Sequence, residues 1–483
     1  MSTSGIDVKR VSPLDLLEPA PKDLIQIKPL AAKEHWEASK YNLRTTSADG
    51  SYVLWNSYSG AMCVFKPEQR QGVQALLKQG YTGEPKGVVK YLVDSGFMVP
   101  KGSNEYRKVQ LAFGQQHYRN DILELILLSS EDCNFRCTYC YEDFKRGTML
   151  PSVREGIKNM VERRAPHLRQ LTVGWFGGEP LYGFEAMEEL GPFFIETAEK
   201  YSLGYASHIT TNAYLLTPDV AEKLMAWRVM NFQITLDGMR EQHDKKRPAR
   251  DGCGTFDTIV SNLIELKKRP EQYRVRIRVN YDRENHPYIE DLLVLLQKEF
   301  GGDDRFVVAF HGIGRWGGPN DKNLEVCGTD EAKLVKERLR ISAKDKGFRP
   351  AGTIRDMNSV GKNVCYAARP YNFIVGADGK LMKCTIALDT EDHNIVGQLM
   401  PNGDMVLNAD NYALWVEPAF QSDTGCQKCA ILPTCQGISC PLIRIEHNRS
   451  PCAATPKSRV RNELLLAMET AQQKSDEIMV NFD

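Results

Sequence analysis

The chain has 483 residues, which exceeds the size of a single hydrophobic core and predicts two or three domains. Lysine plus arginine and aspartate plus glutamate number 62 each, so there is no net basic field that would favour nucleic acid or an acidic membrane as partner. The N-terminal stretch MSTSGIDVKRVSPLDLLEP lacks the apolar core of a signal peptide, and the chain has no run of about 18 apolar residues. We therefore expect a cytoplasmic protein that binds neither membrane nor nucleic acid.

Thirteen cysteines are a prominent feature of this composition. Without a secretory signal, disulfides are disfavoured, and clustered cysteines more often bind metal or carry out redox chemistry. Ten of the thirteen form two groups, Cys133, Cys137 and Cys140 in the first, and Cys365, Cys384, Cys426, Cys429, Cys435, Cys440 and Cys452 in the second. The other three are Cys63, Cys253 and Cys327. Two metal-binding regions are therefore expected.

The first 120 residues divide into an arm and a small folded unit. Residues 1–39 contain prolines and have only weak periodicity, which predicts an N-terminal arm or linker. In residues 40–120, two β-rich runs flank the turn signal SADGS, so a hairpin is expected. Two helical patterns follow, PEQRQGVQALLKQG and PKGVVKYLVDSGFMV, each with a proline at its start and a glycine near its end. Together these patterns predict a small α+β domain.

From residue 121 to residue 348 the pattern alternates between strand and helix six times. The predicted strands are ILELILL, LTVGWF, SHITTN, FQITLD, VRIRVN and RFVVAF. The predicted helices cover about 152–165, 184–202, 217–228, 255–268, 288–300 and 329–346. Apolar strands that alternate with amphipathic helices predict an α/β fold, and right-handed crossovers curl such units into a full or partial barrel. Its functional site would lie at the carboxyl ends of the strands.

Regular patterns thin out between residues 349 and 454, where cysteines concentrate. Few long apolar helices are available there, so we expect bound metal to stabilise this segment. The final segment, 455–483, predicts one C-terminal helix with Thr455 as its cap and Pro456 in its first turn.

The stretch CNFRCTYC, from Cys133 to Cys140, directly follows the first strand of the α/β region. A closed zinc site and a cubane 4Fe–4S cluster both need four ligands. Three local thiolates would leave one iron open to a small molecule, which is the arrangement of a catalytic site. The alternatives are a zinc site with a distant fourth ligand and buried structural thiols, and the spacing favours the cluster over both.

On this stretch the sequence resembles the radical S-adenosylmethionine (SAM) enzymes. Their signature is C-x3-C-x2-C with an aromatic residue just before the last cysteine, and Tyr139 takes that place here. The resemblance covers about residues 121–346 and implies a partial, TIM-like (β/α)6 barrel. It also implies that SAM binds the open iron through its amino and carboxylate groups. Reductive cleavage of SAM would then give a 5′-deoxyadenosyl radical that takes a hydrogen atom from the substrate.

Residues at the other strand ends match the same family. WFGGEP ends the second strand and resembles the family's GGE motif, which holds the SAM amino group; adjacent glycines allow close approach, and a carboxylate accepts from an ammonium. Through this resemblance the expected SAM contacts are Tyr139, Gly177, Gly178, Glu179, Pro180, Asn212, Thr235, Asp237, Arg247 and Asn280. The Arg247 guanidinium would face the SAM carboxylate, whereas His243 is expected to be structural. For each residue the alternative is an ordinary turn residue or a solvated charge.

The second group of cysteines also follows a pattern. Eighteen residues separate Cys365 from Cys384, and ADGK between them is a hairpin turn signal, so the two thiols are expected to lie near each other. CQKCAILPTCQGISC follows with spacing C-x2-C-x5-C-x4-C, and Cys452 comes last. Seven ligands cannot belong to one cluster, and two clusters need eight. Zinc ribbons are the alternative for this segment.

The segment resembles the SPASM extension of peptide-modifying radical SAM enzymes, in which C-x9–15-G-x4-C precedes C-x2-C-x5-C-x3-C and a last cysteine. The spacing before Cys440 departs from it, with x4 in place of x3. The resemblance implies an outer auxiliary 4Fe–4S cluster held by Cys426, Cys429, Cys435 and Cys452, and an inner one held by Cys365, Cys384 and Cys440. The inner cluster would lack a fourth ligand. The candidates are Cys327 and an open or substrate-bound iron, of which the second is favoured because a lone cysteine is more often a buried free thiol.

The N-terminal unit looks like the winged-helix peptide-recognition domain of ribosomal-peptide (RiPP) maturases, where a leader peptide adds a strand to the hairpin edge. The alternative is a structural cap on the barrel. Together the resemblances imply a radical SAM–SPASM maturase that abstracts hydrogen from a ribosomal precursor peptide and installs a thioether or carbon–carbon crosslink. Its cofactors would be SAM and three 4Fe–4S clusters, and its reductant flavodoxin or ferredoxin. The sequence names no catalytic base.

Three other functions stay open at this point. An anaerobic sulfatase maturase forms formylglycine, but by resemblance such enzymes carry an aspartate base directly after the cysteine matching Cys384, where this chain has Thr385. A peptide epimerase uses the same chemistry without forming a bond. A non-enzymatic electron-transfer protein would need the clusters but not the SAM contacts, which favours an enzyme.

Overall fold

The computed structural model describes residues 35–350, 364–388, 392–421, 424–436 and 440–447, together with positions 462, 464, 465 and 468. The N-terminal unit within them contains two small antiparallel sheets and three helices. Its strands are β1 (His35–Ala38), β2 (Asn42–Thr46), β3 (Tyr52–Asn56), β4 (Met62–Phe65), β5 (Tyr81–Thr82) and β6 (Met98–Pro100). Its helices are α1 (Arg70–Gln79), α2 (Gly87–Asp94) and α3 (Glu105–His117). The strand orders are β5-β1-β6 and β2-β3-β4.

The central region consists of six parallel strands that neighbour one another in chain order. These are β7 (Ile122–Ser130), β8 (Gln170–Gly177), β9 (Gly204–Thr211), β10 (Val229–Thr235), β11 (Arg274–Tyr281) and β12 (Phe306–Gly312). The helices between and after them are α4 (Pro151–Arg164), α5 (Phe184–Tyr201), α6 (Pro218–Ala226), α7 (Arg240–Lys246), α8 (Phe256–Lys267), α9 (Ile289–Phe300) and α10 (Thr329–Asp345). All six predicted strands and all six predicted helices are present; α7, a short helix after β10, was not predicted.

Side chains alternate strictly along β11. Val275, Ile277 and Val279 are fully buried in the main hydrophobic core, beneath the helices. Arg276 and its neighbours at alternate positions point to the opposite face, and Arg276 is exposed to solvent there. Successive residues of a strand face opposite sides of a sheet. One face of the parallel sheet therefore carries the core, and the other carries polar side chains.

The cysteine-rich segment extends the same sheet instead of forming a strand-poor appendage. It contributes β13 (Arg349–Pro350), β14 (Asn372–Val375), β15 (Lys380–Met382), β16 (Ile395–Leu399) and β17 (Met405–Leu407), followed by α11 (Ala409–Val416), α12 (Thr424–Gln427), α13 (Leu432–Cys435) and α14 (Pro441–His447). The full order is β13-β12-β11-β10-β9-β8-β7-β14-β15-β16-β17. The parallel pairing of β14 with β7 joins the two cysteine-bearing regions in one eleven-stranded sheet.

Several expectations can be compared with this architecture. The α/β class with a large parallel-rich sheet is confirmed, as are the hairpin around SADGS, now β2–β3, and the hairpin at ADGK, now β14–β15. The boundary of the arm at residue 39 is too late, because β1 already lies within 1–39 and pairs with β6. Residues 1–34 and most of the predicted C-terminal helix, 455–483, lie outside the described residues. The winged-helix and SPASM assignments stay predictions.

No helix in the described part of the chain is both long enough and apolar enough to cross a bilayer.

The burial pattern of β11 predicts a large stability difference between two aliphatic truncations. Ile277→Ala removes a fully buried side chain from the core and should lower the free energy of unfolding by about 2–5 kcal/mol. The matched control, Val294→Ala, truncates a side chain that is 56% exposed on α9 and should change it by less than about 0.5 kcal/mol. Guanidinium denaturation of the anaerobic protein, followed by circular dichroism, measures both; equal effects would contradict the orientation of β11.

Candidate active site

The three-cysteine loop begins where β7 ends and is fastened to neighbouring strand ends. The backbone N–H groups of Arg136 and Thr138 donate to the carbonyl groups of Pro248 and Lys246, at 3.0 and 2.9 Å. The N–H of Gly178, beyond β8, donates to the carbonyl of Ser130 at 3.1 Å. The carboxyl ends of parallel strands lie at one edge of a sheet, which brings the loop, the end of β8 and the segment after β10 together.

Nine of the residues singled out from sequence line one cavity of about 140 Å³ at this edge. They are Cys133, Cys137, Tyr139, Cys140, Gly177, Gly178, Asn212, Thr235 and Arg247. Glu179, Pro180, Asp237 and Asn280 lie directly behind them and hydrogen-bond to the cavity wall or its supports. The structure thus brings together every residue that the resemblance assigned to SAM, on elements as distant in sequence as β7 and β11.

Burial raises the pKa of all three thiols of the loop. The nearby Arg247 guanidinium opposes this shift for each of them, most strongly for Cys137. A buried thiol without a metal therefore stays protonated at neutral pH. Bound metal deprotonates thiols outright because of its own charge, so the loop is suited to ligation and not to acid–base chemistry.

The end of β8 needs its two glycines. Gly177 has a φ of 120°, and a Cβ atom there would lie 2.0 Å from the carbonyl oxygen of Ser130. At Gly178, a Cβ atom would lie 2.7 Å from the carbonyl oxygen of Asp132 and 3.1 Å from the Cβ of Cys133. Only glycine fits this close contact between the end of β8 and the cysteine loop.

The Glu179 carboxylate is completely buried and joins the ends of β8 and β9. Its Oε1 accepts from the Thr211 hydroxyl at 2.6 Å and from the Leu181 N–H at 3.0 Å, and its Oε2 accepts from the Asn212 N–H at 2.7 Å. Burial raises the pKa of Glu179, while these three donors lower it. Beside it, the Pro180 carbonyl accepts from the Ser129 hydroxyl at 3.0 Å.

Tyr139 is the centre of a second buried network. Its hydroxyl donates to Oδ2 of Asp237 and accepts from Nη1 of Arg247 at 2.8 Å and from Nδ2 of Asn280 at 3.1 Å. The other Asp237 oxygen accepts from the Asn280 backbone N–H at 2.8 Å. Burial raises the pKa of Asp237, and the Arg247 charge and the Tyr139 hydrogen bond oppose it. This network fixes the aromatic residue of the CTYC motif and the guanidinium in one arrangement.

Two observations test whether SAM and a cluster fit these residues. The Arg247 Nε atom is buried and has no hydrogen-bond partner among the described residues, so one donor of a fixed cation remains for a ligand. Three thiols and a glycine backbone without side chains line the same cavity. This donor set suits a thiolate-ligated cluster with an anionic group beside it.

His243 is completely buried behind the site. Its Nδ1 accepts from the Asp237 N–H at 3.2 Å, and its Nε2 lies 3.2 Å from the Thr255 hydroxyl. Burial lowers its pKa far below the usual range, so the imidazole is neutral and positions the backbone after β10.

The inner cysteines of the second group lie near one another, as the hairpin signal predicted for two of them. Burial, with a smaller contribution from the charges of Cys365 and Cys440, raises the pKa of Cys384 to about 11. Burial also raises the pKa of Cys365, and the charge of Cys440 adds to it. The three thiols, on the segment before β14, after β15 and before α14, therefore lie close enough for their charges to affect one another.

The outer cysteines lie against the N-terminal unit. Cys429 and Cys435 pack on the cluster formed by β2, β3, β4 and Ile431, and Cys426 packs near Tyr106 and Phe420. The Ser57 hydroxyl donates to the Ala430 carbonyl at 2.5 Å. Cys452, the fourth member of the predicted outer set, lies outside the described residues.

Cys327 lies in a different environment, at the start of α10. Its thiol is within 4.8 Å of ligand atoms of His286 and Glu331, and the neighbouring charges that shift its pKa, after burial, are those of Glu331, Asp282 and Arg283. Cys365, Cys384 and Cys440 are not among these neighbours in the described part of the chain. The environment of Cys327 therefore gives no support to its assignment as a ligand of the inner set.

Sequence reasoning missed several residues that hold the site in place. Nδ2 of Asn285 donates to the carbonyls of Asp237 and Asn280, at 2.7 and 2.9 Å, and Nδ2 of Asn212 donates to Oδ1 of Asn134 at 2.8 Å. Asp282 and Lys246 form a buried ion pair at 2.5 Å. The available signal was their position: Asn134 lies in the cysteine loop, Asp282 and Asn285 follow the predicted strand that ends at Asn280, and Lys246 directly precedes Arg247.

The sequence profile of the Radical SAM superfamily matches residues 127–296. The matched span runs from β7 into α9 and includes the cysteine loop, the two glycines and the network around Tyr139. The chain therefore carries a radical SAM domain, and the resemblance stated from CNFRCTYC is confirmed.

Two characterised relatives share part of the chain. A cysteine-type anaerobic sulfatase-maturating enzyme of Clostridium novyi is 31% identical over 174 residues, which are 34% of this chain and 45% of that enzyme. Mycofactocin maturase MftC of Mycobacterium tuberculosis is 25% identical over 312 residues, 63% of this chain and 75% of that protein. The chain spans about half the length of the first curated relatives that it matches.

A solved structure has a similar fold. It is described as native anSMEcpe with bound AdoMet and Cp18Cys peptide, and it superposes with a TM-score of 0.56 at 17% sequence identity, over 73% of this chain and 100% of that one. At this identity the likeness concerns the fold alone, and it agrees with the parallel-rich α/β sheet.

The contact between Gly177 and Ser130 predicts that the site does not tolerate a methyl group there. Gly177→Ala should lower stability by about 2 kcal/mol or more, because positive φ and a backbone clash coincide. The matched control is Gly72→Ala in α1, where no atom lies within 4 Å, and it should raise stability by about 0.5–1 kcal/mol. Thermal unfolding of the anaerobic protein measures both, and a neutral Gly177→Ala would contradict the packing of β8 on the cysteine loop.

Proposed function

We propose that the protein is a radical SAM peptide maturase. The observation that carries the proposal is the cavity lined by the three-cysteine loop, the two glycines at the end of β8 and Arg247, which borders a second cavity lined by Tyr366 and Thr385 beside the inner cysteines. A SAM site that borders a second cavity next to further cysteines is suited to an oxidative reaction, with the substrate bound between SAM and those cysteines.

At the first cavity, the thiolates of Cys133, Cys137 and Cys140 would hold a 4Fe–4S cluster with one iron open for SAM. SAM bound there supplies a 5′-deoxyadenosyl radical when the cluster delivers an electron. Gly177 and Gly178 leave room for the ligand, and the free Nε of Arg247 would pair with its carboxylate. The Glu179 carboxylate is occupied by three protein donors, so its contribution to an ammonium group would be its buried charge.

The substrate would occupy the second cavity, of about 260 Å³, which shares Phe176 and Thr210 with the first. Its far side carries Tyr366 and Thr385, whose hydroxyl groups are 2.8 Å apart. Thr385 directly follows Cys384, so a substrate radical formed here would lie next to the proposed inner auxiliary cluster. That cluster would accept the electron released when the new bond forms, and the outer one would pass it on.

A peptide is the proposed substrate. The similarity to a maturase, MftC, and to the fold of anSMEcpe, whose structure holds AdoMet together with a peptide, supports this class. The N-terminal unit supplies a three-stranded sheet whose outer strands are β2 and β4, and the edge of such a sheet can bind a leader peptide as an added strand. The proposed reaction is formation of a thioether or carbon–carbon crosslink, with flavodoxin or ferredoxin as reductant.

Sulfatase maturation is the second candidate. The 31% identity to a sulfatase-maturating enzyme over the radical SAM region favours it. Thr385 argues against it, because its hydroxyl is bonded to Tyr366 and is not a carboxylate base. Accurate mass of a co-expressed peptide would separate a crosslink, which removes two hydrogens, from formylglycine formed at cysteine, which also replaces sulfur by oxygen, and from epimerisation, which leaves the mass unchanged. Formylglycine formed at serine also removes two hydrogens and is recognised by the reaction of its aldehyde with a hydrazide.

The first prediction of this proposal concerns SAM cleavage. The anaerobic, iron-reconstituted protein should convert SAM to 5′-deoxyadenosine when it is reduced with dithionite. The Cys133→Ala/Cys137→Ala/Cys140→Ala variant should lose this activity and contain about four fewer iron atoms per chain, because it lacks one 4Fe–4S cluster. Chromatography of the nucleosides and an iron assay measure the two effects.

Cys253→Ala is the matched control, since Cys253 is exposed and lies near Asp251 outside the cavity. It should keep both the iron and the activity of the wild-type protein. If the wild-type protein forms no 5′-deoxyadenosine, with or without a peptide, the proposed function is wrong.

A further prediction concerns the inner cluster. Cys327→Ala should leave the iron content and the spectrum of the auxiliary clusters unchanged, because Cys327 lies with His286 and Glu331 and apart from the inner cysteines. Cys384→Ala should reduce the iron content by about four atoms per chain. A loss of iron in Cys327→Ala that matches the loss in Cys384→Ala would identify Cys327 as the missing ligand.

A further inference from the structure

Three arginines at alternate positions of β11 project from the polar face of the central sheet. Arg274 and Arg276 are exposed and line a cavity of about 480 Å³, and Arg278 is half-buried nearer the cysteine loop. The valine and isoleucine residues between them are buried on the other face. The row of arginines therefore lines a cavity on the polar face of the sheet and is accessible to solvent.

This cavity borders the proposed active site. It shares Thr172, His208 and Thr210 with the cavity that contains Tyr366 and Thr385, and Thr210 also lines the cavity of the cysteine loop. A ligand bound along β11 would therefore lie next to the cavities in which the reaction is proposed.

The positive charge of the row is not neutralised by the protein. Within the described residues, Arg274, Arg276 and Arg278 form no ion pair, and the only side-chain bond of Arg278 is to Oδ1 of Asn280, at 2.7 Å. Among the residues that the structure describes, Glu124 is the one carboxylate that lines either of the two larger cavities, and it already accepts from Arg369 at 2.6 Å and from Asn372 at 3.1 Å.

The charge of the row affects the pKa of the two histidines near it. Burial, together with the charges of Arg278, Lys336 and Arg276, lowers the pKa of His311 to about 3. Burial also lowers the pKa of His208; Glu124 raises it and Arg276 lowers it. Both imidazoles are therefore neutral at physiological pH, and the arginines keep the interior positive although the whole chain has no net charge.

The spacing of the row indicates the shape of its ligand. Alternate residues of a strand are about 6.6 Å apart, so the row extends over about 13 Å, and Arg274 lies about 20 Å from the end of β11 where Asn280 supports the SAM site. An extended peptide repeats its side chains at the same interval. SAM, placed at Arg247 and Asn280, would lie beside Arg278, which is bonded to Asn280, whereas Arg274 and Arg276 lie farther along the strand.

We propose that Arg274, Arg276 and Arg278 bind an extended, acidic segment of the substrate peptide whose aspartate or glutamate side chains lie at alternate positions. Each guanidinium would pair with one carboxylate, and partial exclusion of water would strengthen the pair. This inference rests on the proposed function, since it names the class of peptide that the maturase takes. An anionic nucleotide is the competing occupant, and its compact phosphate chain does not match a row of this length.

The test compares two synthetic probes, acetyl-(Gly-Asp)3-amide and acetyl-(Gly-Asn)3-amide, each carrying fluorescein on a flexible linker. Fluorescence anisotropy is measured with the anaerobic, reconstituted protein and SAM. The aspartate peptide should bind at least about tenfold more tightly than the asparagine peptide, which corresponds to about 1.4 kcal/mol. Added salt should weaken the binding of the aspartate peptide and leave the binding of the asparagine peptide unchanged.

Two variants test whether the row of arginines causes the preference for the aspartate peptide. Arg274→Gln/Arg276→Gln should abolish it, and Arg276→Lys should retain most of it because the positive charge remains. The matched control is Arg240→Gln, which removes the same charge from an exposed arginine paired with Asp257 at 2.6 Å, and it should bind like the wild-type protein. Iron content equal to that of the wild-type protein shows that each variant has folded.

Three results would overturn the inference. They are equal binding of the two peptides, no binding of the aspartate peptide up to about 1 mM, and displacement of the aspartate peptide by micromolar GTP, which would assign the row to a nucleotide. Binding is measured without turnover, so 5′-deoxyadenosine formation by the wild-type protein tests the proposed function separately. A protein that cleaves SAM but does not discriminate between the peptides keeps the function and loses the inference.

Discussion

The parallel pairing of β7 with β14 is the contact on which the arrangement of the cysteines depends. In this register Ile126 lies opposite Ile374, and both strands end at the same edge of the sheet. The cysteine loop follows β7, and the hairpin after β14 leads to Cys384, so the pairing holds two groups of thiols that are more than two hundred residues apart in sequence on one rigid support. This pairing, together with the bonds of Ala377 to Glu131 and Leu150, fixes the position of the cysteine-rich segment relative to the site.

Burial of charge is the second constraint. Glu179 and Asp237 are completely buried, and a buried carboxylate is stable only when hydrogen bonds or an opposite charge compensate for lost water. Each satisfies this condition with donors from a neighbouring strand, Glu179 from β9 and Asp237 from the loop tyrosine and β11. The same bonds that compensate the charge also fix the strand ends, so stability and the shape of the cavity have one physical origin.

The inner face of the central sheet departs from a closely packed core. Arginine, histidine, threonine, asparagine and glutamine side chains line it together with Glu124, Ile126 and Phe176, and cavities remain between them. Polar side chains there must stay in contact with water or bind a ligand, since burial without partners costs free energy. The sheet thus places stability and chemistry on different faces. Its outer face supplies the hydrophobic core, and its inner face remains available for chemistry.

The sequence by itself determined the elements and the local motifs of this protein. Periodicity located all six strands and the helices that cover them, and the spacing of Cys133, Cys137 and Cys140 indicated a cluster site, because both signals are local in the chain. Tertiary structure decided what these elements contact. That β14 joins β7, that Glu179 turns toward β9, and that Cys327 lies apart from the inner cysteines all depend on register and packing between distant segments, which no local pattern encodes.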